Sequence, residues 1–299
     1  MNLRTIAEAI DAYKRGASQA DAARLDFFEG MYKYQQARAD ELVLEMKMSV
    51  LSVEEAEEAY FSDEPMLAKA PADIKSEEFW ATCAQIAQYF AREAGLDDDV
   101  SAALEDFDWE TFVKKLDLEQ AGSNPPQFVE DCFQDFDVFG VDASLPSSIV
   151  MMIVTFALRA HIQPIAARLF GSVSKNALKG SRLKPVNCPV CGSPAALSHV
   201  AMATGIDGRE REQYCNVCGT VWPFDRMRCG VCGVDNPARL HYFHVEGDES
   251  HRLQNCDECG RYQRVFFEES LEIPVSLEVE DVVMAKLDAI ALDPRFRVE

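Results

Sequence analysis

"YCNVCGTVWPFDRMRCGVCG", residues 214–233, packs two Cys-x-x-Cys pairs into twenty residues, and each pair is followed at once by glycine. Four thiols this close can hold one metal ion, hold parts of two, or form disulfides. Which of these applies decides how the C-terminal half of the chain folds.

Eight of the ten cysteines fall in four such pairs: Cys188/Cys191, Cys215/Cys218, Cys229/Cys232 and Cys256/Cys259. Glycine follows every one of them, at Gly192, Gly219, Gly233 and Gly260. Two thiolates at i and i+3 face one ion when the backbone between them makes a tight turn that also aims amide N–H groups at the sulfurs. The residue after the second cysteine then needs positive φ, which glycine adopts at little steric cost. The spacing assigns the pairs. Cys229 follows Cys188, Cys232 follows Cys191, Cys256 follows Cys215 and Cys259 follows Cys218, each by 41 residues. This is an internal duplication of a knuckle–hairpin–knuckle unit. Adjacent pairing places Cys188, Cys191, Cys215 and Cys218 in site one, and Cys229, Cys232, Cys256 and Cys259 in site two. The swapped pairing stays open only if a repeated unit does not fold as a unit.

Redox pairs of the thioredoxin type lie in a βαβ pattern, which is absent around these cysteines, and disulfides need no glycine after each second cysteine. Metal binding is the reading. A tetrahedral four-sulfur site suits zinc or a single iron, and the donor set does not separate them. Four thiolates close the coordination shell, so hydrolysis at the metal is not expected. The chain also contains no His-Glu-x-x-His, phosphate-cradling loop or nucleophile elbow. A binding or accessory protein is expected rather than an enzyme, with electron transfer the one chemistry the sites permit.

Composition is that of a soluble globular chain, 48% hydrophobic and 27% charged, with a net charge of −22 concentrated before residue 183. Such a surface repels nucleic acid and anionic lipid, so neither is an expected partner. The N-terminus has no apolar core of signal-peptide length; Leu3, Ile6, Ile10 and Tyr13 recur at helical spacing instead. The longest apolar run, "SSIVMMIVTFALRAHIQ" (147–163), is too short to span a membrane and reads as a buried core helix with Arg159 and His161 near its end. No membrane insertion and a cytoplasmic location are expected, and a reducing compartment disfavours disulfides.

The expected fold is α plus small metal-bound β: an all-α N-terminal domain, two tandem zinc-ribbon-like modules and a C-terminal helix. Residues 1–180 are helical, with stripes at Ala39, Leu42, Met46, Val50 and Val53, at Phe79, Cys83, Ile86 and Phe90, and at Phe128, Cys132, Phe136 and Phe139. Ser52 with Glu55 reads as a capping box. Small and basic residues at 171–187 mark a linker or domain boundary. The first module covers 185–226 and the second 227–270, with short Val-, Tyr- and Phe-rich hairpins between knuckles. A helix over 276–293 keeps Val279, Val283, Leu287 and Ile290 on one face, which must pack onto one of the preceding parts. Cys83 and Cys132 read as buried structural thiols. His161 reads as a core histidine, and His199, His241, His244 and His251 are spare beside a full set of sulfurs. The connector "TVWPFDRMR" offers Trp222, Phe224, Arg226 and Arg228 either for a protein contact or for packing between modules.

The segments "CPVCGSPAALSHV", "REREQYCNVCGTVW", "RMRCGVCG", "ARLHYFHVEGDE" and "CDECGRYQRV" resemble the formate dehydrogenase accessory (formation) protein family. The likeness is specific over about 185–292; over 1–180 it is one of helical architecture and length, and the strongly acidic first part departs from the family. The resemblance implies a cytoplasmic factor needed for active respiratory formate dehydrogenase, a molybdenum or tungsten enzyme with iron–sulfur clusters. It implies that the catalytic subunit is bound as a protein client and acted on in maturation or redox state. It also implies rubredoxin-like modules holding two metal ions, with iron favoured over zinc, the eight cysteines matching the ligand positions one for one. A rubredoxin-type electron carrier and a zinc-ribbon nucleic-acid-binding protein are the alternative functions.

Overall fold

The computed structural model describes residues 1–45, 50–62, 64–134, 136, 145–180, 182–201, 210–268 and 273–292. Helices fill the first part: α1 (Leu3–Lys14), α2 (Gln19–Glu45), α3 (Val53–Tyr60), α4 (Met66–Lys69), α5 (Ser76–Glu93) and α6 (Asp98–Glu105). They continue as α7 (Trp109–Val113), α8 (Leu118–Ser123), α9 (Pro125–Gln134), α10 (Ser147–Gly171) and α11 (Lys175–Lys179). Local chemistry sets several ends. The Ser52 side chain accepts from the Glu55 amide and Glu55 accepts from the Ser52 amide, the reciprocal box that starts α3. Asp108 and Asp117 cap α7 and α8 one-sidedly, a side-chain oxygen of each accepting from the amide of Thr111 or Gln120.

The core stripe of α5 is fully inside, with Phe79, Cys83 and Ile86 each 0% exposed. Phe128 and Cys132 of α9 are buried and Phe136 packs on them, while Phe139 lies outside the described residues. The α2 stripe is shorter than its periodicity implies. Ala39 and Leu42 are buried, but Val50 and Val53 are exposed: Val50 lies outside any helix and Val53 opens α3 behind the new cap at Ser52; Met46 lies outside the described residues. The 171–187 segment is not wholly linker, since α11 forms within it.

Helix α10 runs eight residues past the apolar stretch, to Gly171, and by length and composition alone could cross a membrane. Two-thirds of its apolar window (67%) is buried within the protein, as a core helix requires. His161 sits there against Thr82, with Nε2 3.0 Å from Oγ1. Burial, reinforced by the Arg38 cation, pushes its pKa down to about 3, so it is a neutral core imidazole.

Among the described residues six strands follow: β1 (Leu197–Val200), β2 (Arg211–Tyr214), β3 (Val221–Phe224), β4 (Leu240–His244), β5 (His251–Cys256) and β6 (Tyr262–Phe267). They form one sheet in the order β3-β2-β1-β6-β5-β4. Each repeat supplies an antiparallel three-stranded half, and the halves join through parallel pairing of Ser198–Val200 with Val265–Phe267. The repeats are therefore fused, where the sequence implies only separate hairpins. Arg211 pins the seam. Its guanidinium, 3% exposed, donates to Ser198 Oγ on β1 (2.9 Å), Gln263 Oε1 on β6 (2.8 Å), Gln254 Oε1 on β5 (3.2 Å) and the Arg228 carbonyl (2.9 Å).

The last helix, α12 (Leu277–Leu292), packs on both halves of the molecule rather than on one. Val279 and Val282 join Ile6, Ile10 and Tyr32, while Leu277, Met284 and Leu287 join Leu197, Tyr214 and Phe266. Between these apolar contacts lies a buried polar knot. His251 Nε2 meets Glu280 at 2.9 Å and its Nδ1 meets Asp248 at 2.7 Å, and the Tyr13 hydroxyl donates to Glu280 at 2.8 Å. Burial opposes the imidazolium charge, but the hydrogen bonds and negative charges of Asp248 and Glu280 outweigh it and raise the His251 pKa to about 9.

Two consequences are measurable. Because the folded pKa of His251 lies above its unfolded value, its stabilisation is complete below about pH 6.5 and is lost as pH rises through about 9. Denaturant titrations should therefore show a loss on the order of 2–3 kcal/mol between those limits in the wild type, and a much flatter profile in His251→Gln. Replacing Arg211 by Leu should lower unfolding free energy by about 2–4 kcal/mol, because several buried acceptors lose their donor at once.

Candidate metal centres

The four knuckles repeat one backbone arrangement. The amides of Gly192, Gly219, Gly233 and Gly260 donate to the carbonyls of Cys188, Cys215, Cys229 and Cys256 at 2.8–2.9 Å. The first cysteine of each pair donates its own amide to a carbonyl five residues on: Ser193, Thr220, Val234 or Arg261. All four glycines have φ between 64° and 80°, the left-handed region where a side chain strains the backbone. This closes each turn so that both sulfurs project to the same side. At the third knuckle the amides of Val231 and Cys232 approach Cys229 Sγ at 3.4 and 3.5 Å.

Adjacent pairs come together. The sulfurs of Cys188, Cys191, Cys215 and Cys218 lie within 4.8 Å of one another, and so do those of Cys229, Cys232, Cys256 and Cys259. The sulfurs of Cys188 and Cys218 are 3.5 Å apart, as are those of Cys191 and Cys215, and those of Cys232 and Cys256 are 3.8 Å apart. A tetrahedron with metal–sulfur bonds of about 2.3 Å has edges of about 3.8 Å, so each set fits a single four-coordinate ion. Both groups could hold a metal ion by this donor chemistry. Among the described residues no histidine or carboxylate joins either set.

The two sites differ in their surroundings. All four cysteines of the first are buried, within the same apolar cluster as the helices. The first knuckle is docked by backbone: the amides of Met66 and Leu67, which open α4, donate to the carbonyls of Pro189 and Val190 at 2.9 Å. The second is gripped by Arg159 of α10, which donates to the Asn216 carbonyl (2.7 Å) and the Tyr214 hydroxyl (2.8 Å) and lies 3.5 Å from Glu278 of α12. Hydroxyls complete the shell, with Thr220 Oγ1 3.1 Å from Cys218 Sγ and Ser193 Oγ 3.4 Å from Cys191 Sγ. In the second set Cys229 and Cys256 are buried, Cys259 is half-buried and Cys232 is exposed.

The connector between the modules is largely interior. Trp222 is 0% exposed, lies in the helical core and donates Nε1–H to the Pro185 carbonyl at 2.9 Å. Arg228 is buried too, donating to the carbonyls of Lys184 and Gly233 and to Asp225. Packing rather than partner contact accounts for both residues. The clamps formed by Arg159 and Arg211 carry no local sequence signal beyond an arginine set among apolar or strand residues.

The fold and sites define a helical protein carrying a fused pair of four-cysteine ribbon modules. No protein-family model matches the chain. The proteins FdhE of Escherichia coli O157:H7 (strain EC4115 / EHEC), Shigella boydii serotype 18 and Escherichia fergusonii are each 32% identical to it over 105 residues. That segment is 34% of this chain and 32% of each relative, so the match spans about a third of the relatives' length. The crystal structure of the FdhE protein from Pseudomonas aeruginosa matches with a TM-score of 0.61 and 17% identity, covering 99% of this chain and 92% of that one. The sequence likeness is confined to that third of the chain, and the structural one extends the shared fold to the helical part.

The unequal burial predicts unequal reactivity. In metal-loaded protein, Cys232 should be the first thiol alkylated by iodoacetamide, and a chelator should remove one metal equivalent well before the other, read by mass spectrometry and metal analysis. Cys232→Ser should leave circular dichroism and cooperative unfolding largely intact, whereas Cys191→Ser should yield aggregated or unfolded chain.

Proposed function

We propose that this protein is a maturation factor for formate dehydrogenase, holding one metal ion in each four-cysteine site and binding the enzyme's catalytic subunit. The observation that carries the reading is the pair of four-sulfur sets within 4.8 Å, one buried and one open, on a chain with FdhE relatives. In this reading Cys188, Cys191, Cys215 and Cys218 form a structural centre that joins the helical part, residues 1–180, to the first module, residues 185–226. Cys229, Cys232, Cys256 and Cys259 form the working centre of the second module, residues 227–270, and the helix over 276–293 locks both to the N-terminus.

Closed thiolate shells supply no open coordination position, so the protein acts by binding and not as a catalyst. Iron is the ion assigned, with zinc the alternative, and an iron–thiolate centre would supply one-electron chemistry. The exposure of Cys232 favours a redox role at the second site, because electron exchange with a client needs a centre near the surface. Work in the cytoplasm on the unexported subunit is part of the same reading. Nucleic acid is not a partner, since a net charge of −22 opposes phosphate contacts.

The test is a tagged chain expressed with a formate dehydrogenase catalytic subunit and purified without oxygen. Co-purification is expected, together with two metal equivalents and iron–thiolate absorption that bleaches on reduction. Zinc with no visible absorption would remove the redox role. Normal formate dehydrogenase activity in a strain lacking this protein would remove the maturation role.

A further inference from the structure

The two edges of the six-stranded sheet are treated differently. Edge β3 is guarded: it contains Pro223, and Trp222 and Phe224 are buried. Edge β4, "LHYFH", carries no formally charged residue, and Tyr242, Phe243 and the following Val245 are 40%, 46% and 43% exposed. A bare, aromatic edge strand offers its unpaired backbone to another strand, and natural edges are normally blunted by lysine, proline or a bulge to prevent this.

The register shows which groups are free. The Asp257 amide donates to the Arg239 carbonyl at 3.0 Å, one step before the ladder that pairs Leu240–His244 with Cys256–Arg252. Antiparallel pairs alternate between bonded and non-bonded, so His241 and Phe243 bond inward to β5. Tyr242 and His244 point their backbone N–H and C=O groups to the open side. The Leu240 amide is already used, donating to the Pro237 carbonyl.

We infer that β4 is a docking edge for an extended, Lys- or Arg-bearing segment of a partner protein, which adds as a seventh strand. Charge selects the occupant. Glu246, Glu249, Asp257 and Glu258 border the strand, and two nearby cations are engaged: Arg239 with Glu258 at 3.5 Å, and Arg252 over the Phe267 ring. A second copy of this chain, at −22, would be repelled where a basic segment is attracted. Leu240 lies opposite Cys256, so a segment paired along β4 runs beside the exposed second centre. The inference goes beyond the metal-centre reading and stands on the edge geometry, whichever protein supplies the segment.

The probe is a fluorescein-labelled octapeptide alternating lysine and valine, titrated into full-length protein and read by anisotropy. A counterpart N-methylated at every amide keeps its charge and side chains but has no backbone donors. The unmodified peptide should bind at least about tenfold more tightly than the methylated one, reflecting lost main-chain hydrogen bonds. His244→Pro, which removes an outward N–H and no ladder bond, should abolish that difference, with circular dichroism confirming the fold. His244→Lys leaves the backbone intact, places a like charge on the edge and should weaken the unmodified peptide. Equal binding of the two peptides by the wild type would overturn the proposal, as would dimerisation in sedimentation that His244→Pro abolishes, which assigns the edge to a second copy.

Discussion

Four thiolates cannot remain in an apolar interior as bare charges, because taking even one ion out of water costs several kcal/mol without a partner. The first site places its four sulfurs in the same cluster as the helical core, so thiolates there would need a bound cation to offset their charge. Much of the remaining architecture converges on this point. Helix α4 turns its first amides onto the first knuckle, α10 turns Arg159 onto the second, and Trp222 fills the space between. The first four-sulfur set and the helical core share one packed interior.

The second module has no such enclosure. It shares a sheet with the first, pinned by Arg211 and the β1–β6 seam, yet two of its cysteines reach the surface. The two copies of the unit are placed differently: the helices cover the solvent face of one, while the other keeps it, and with it two cysteines that reach the surface and an open strand edge. The asymmetry arises from what packs against each copy, since the two share knuckle geometry.

The C-terminal helix makes the two ends of the chain interdependent. Its apolar residues join α1 on one side and the sheet on the other, with the Tyr13–His251–Glu280 knot between. A buried imidazolium held by two carboxylates is favourable only while all partners are in place. Its geometry thereby enforces the register of three elements distant in sequence.

How much of this is legible in sequence follows from the range of each interaction. The knuckles are local: Cys-x-x-Cys-Gly encodes its own turn through positive φ at glycine, and the 41-residue offset groups the pairs without any structure. The Ser52 box and the stripes of α1 and α5 are local too, and they appear where their spacing places them. The parallel β1–β6 pairing, the interior position of Trp222 and Arg228, and the burial of only one four-cysteine set were decided by tertiary structure. Each depends on contacts between residues far apart in the chain, and a parallel pairing or a buried arginine leaves no periodic trace in the segment that makes it. Sequence by itself determined which sulfurs group together; packing decided which group faces the solvent.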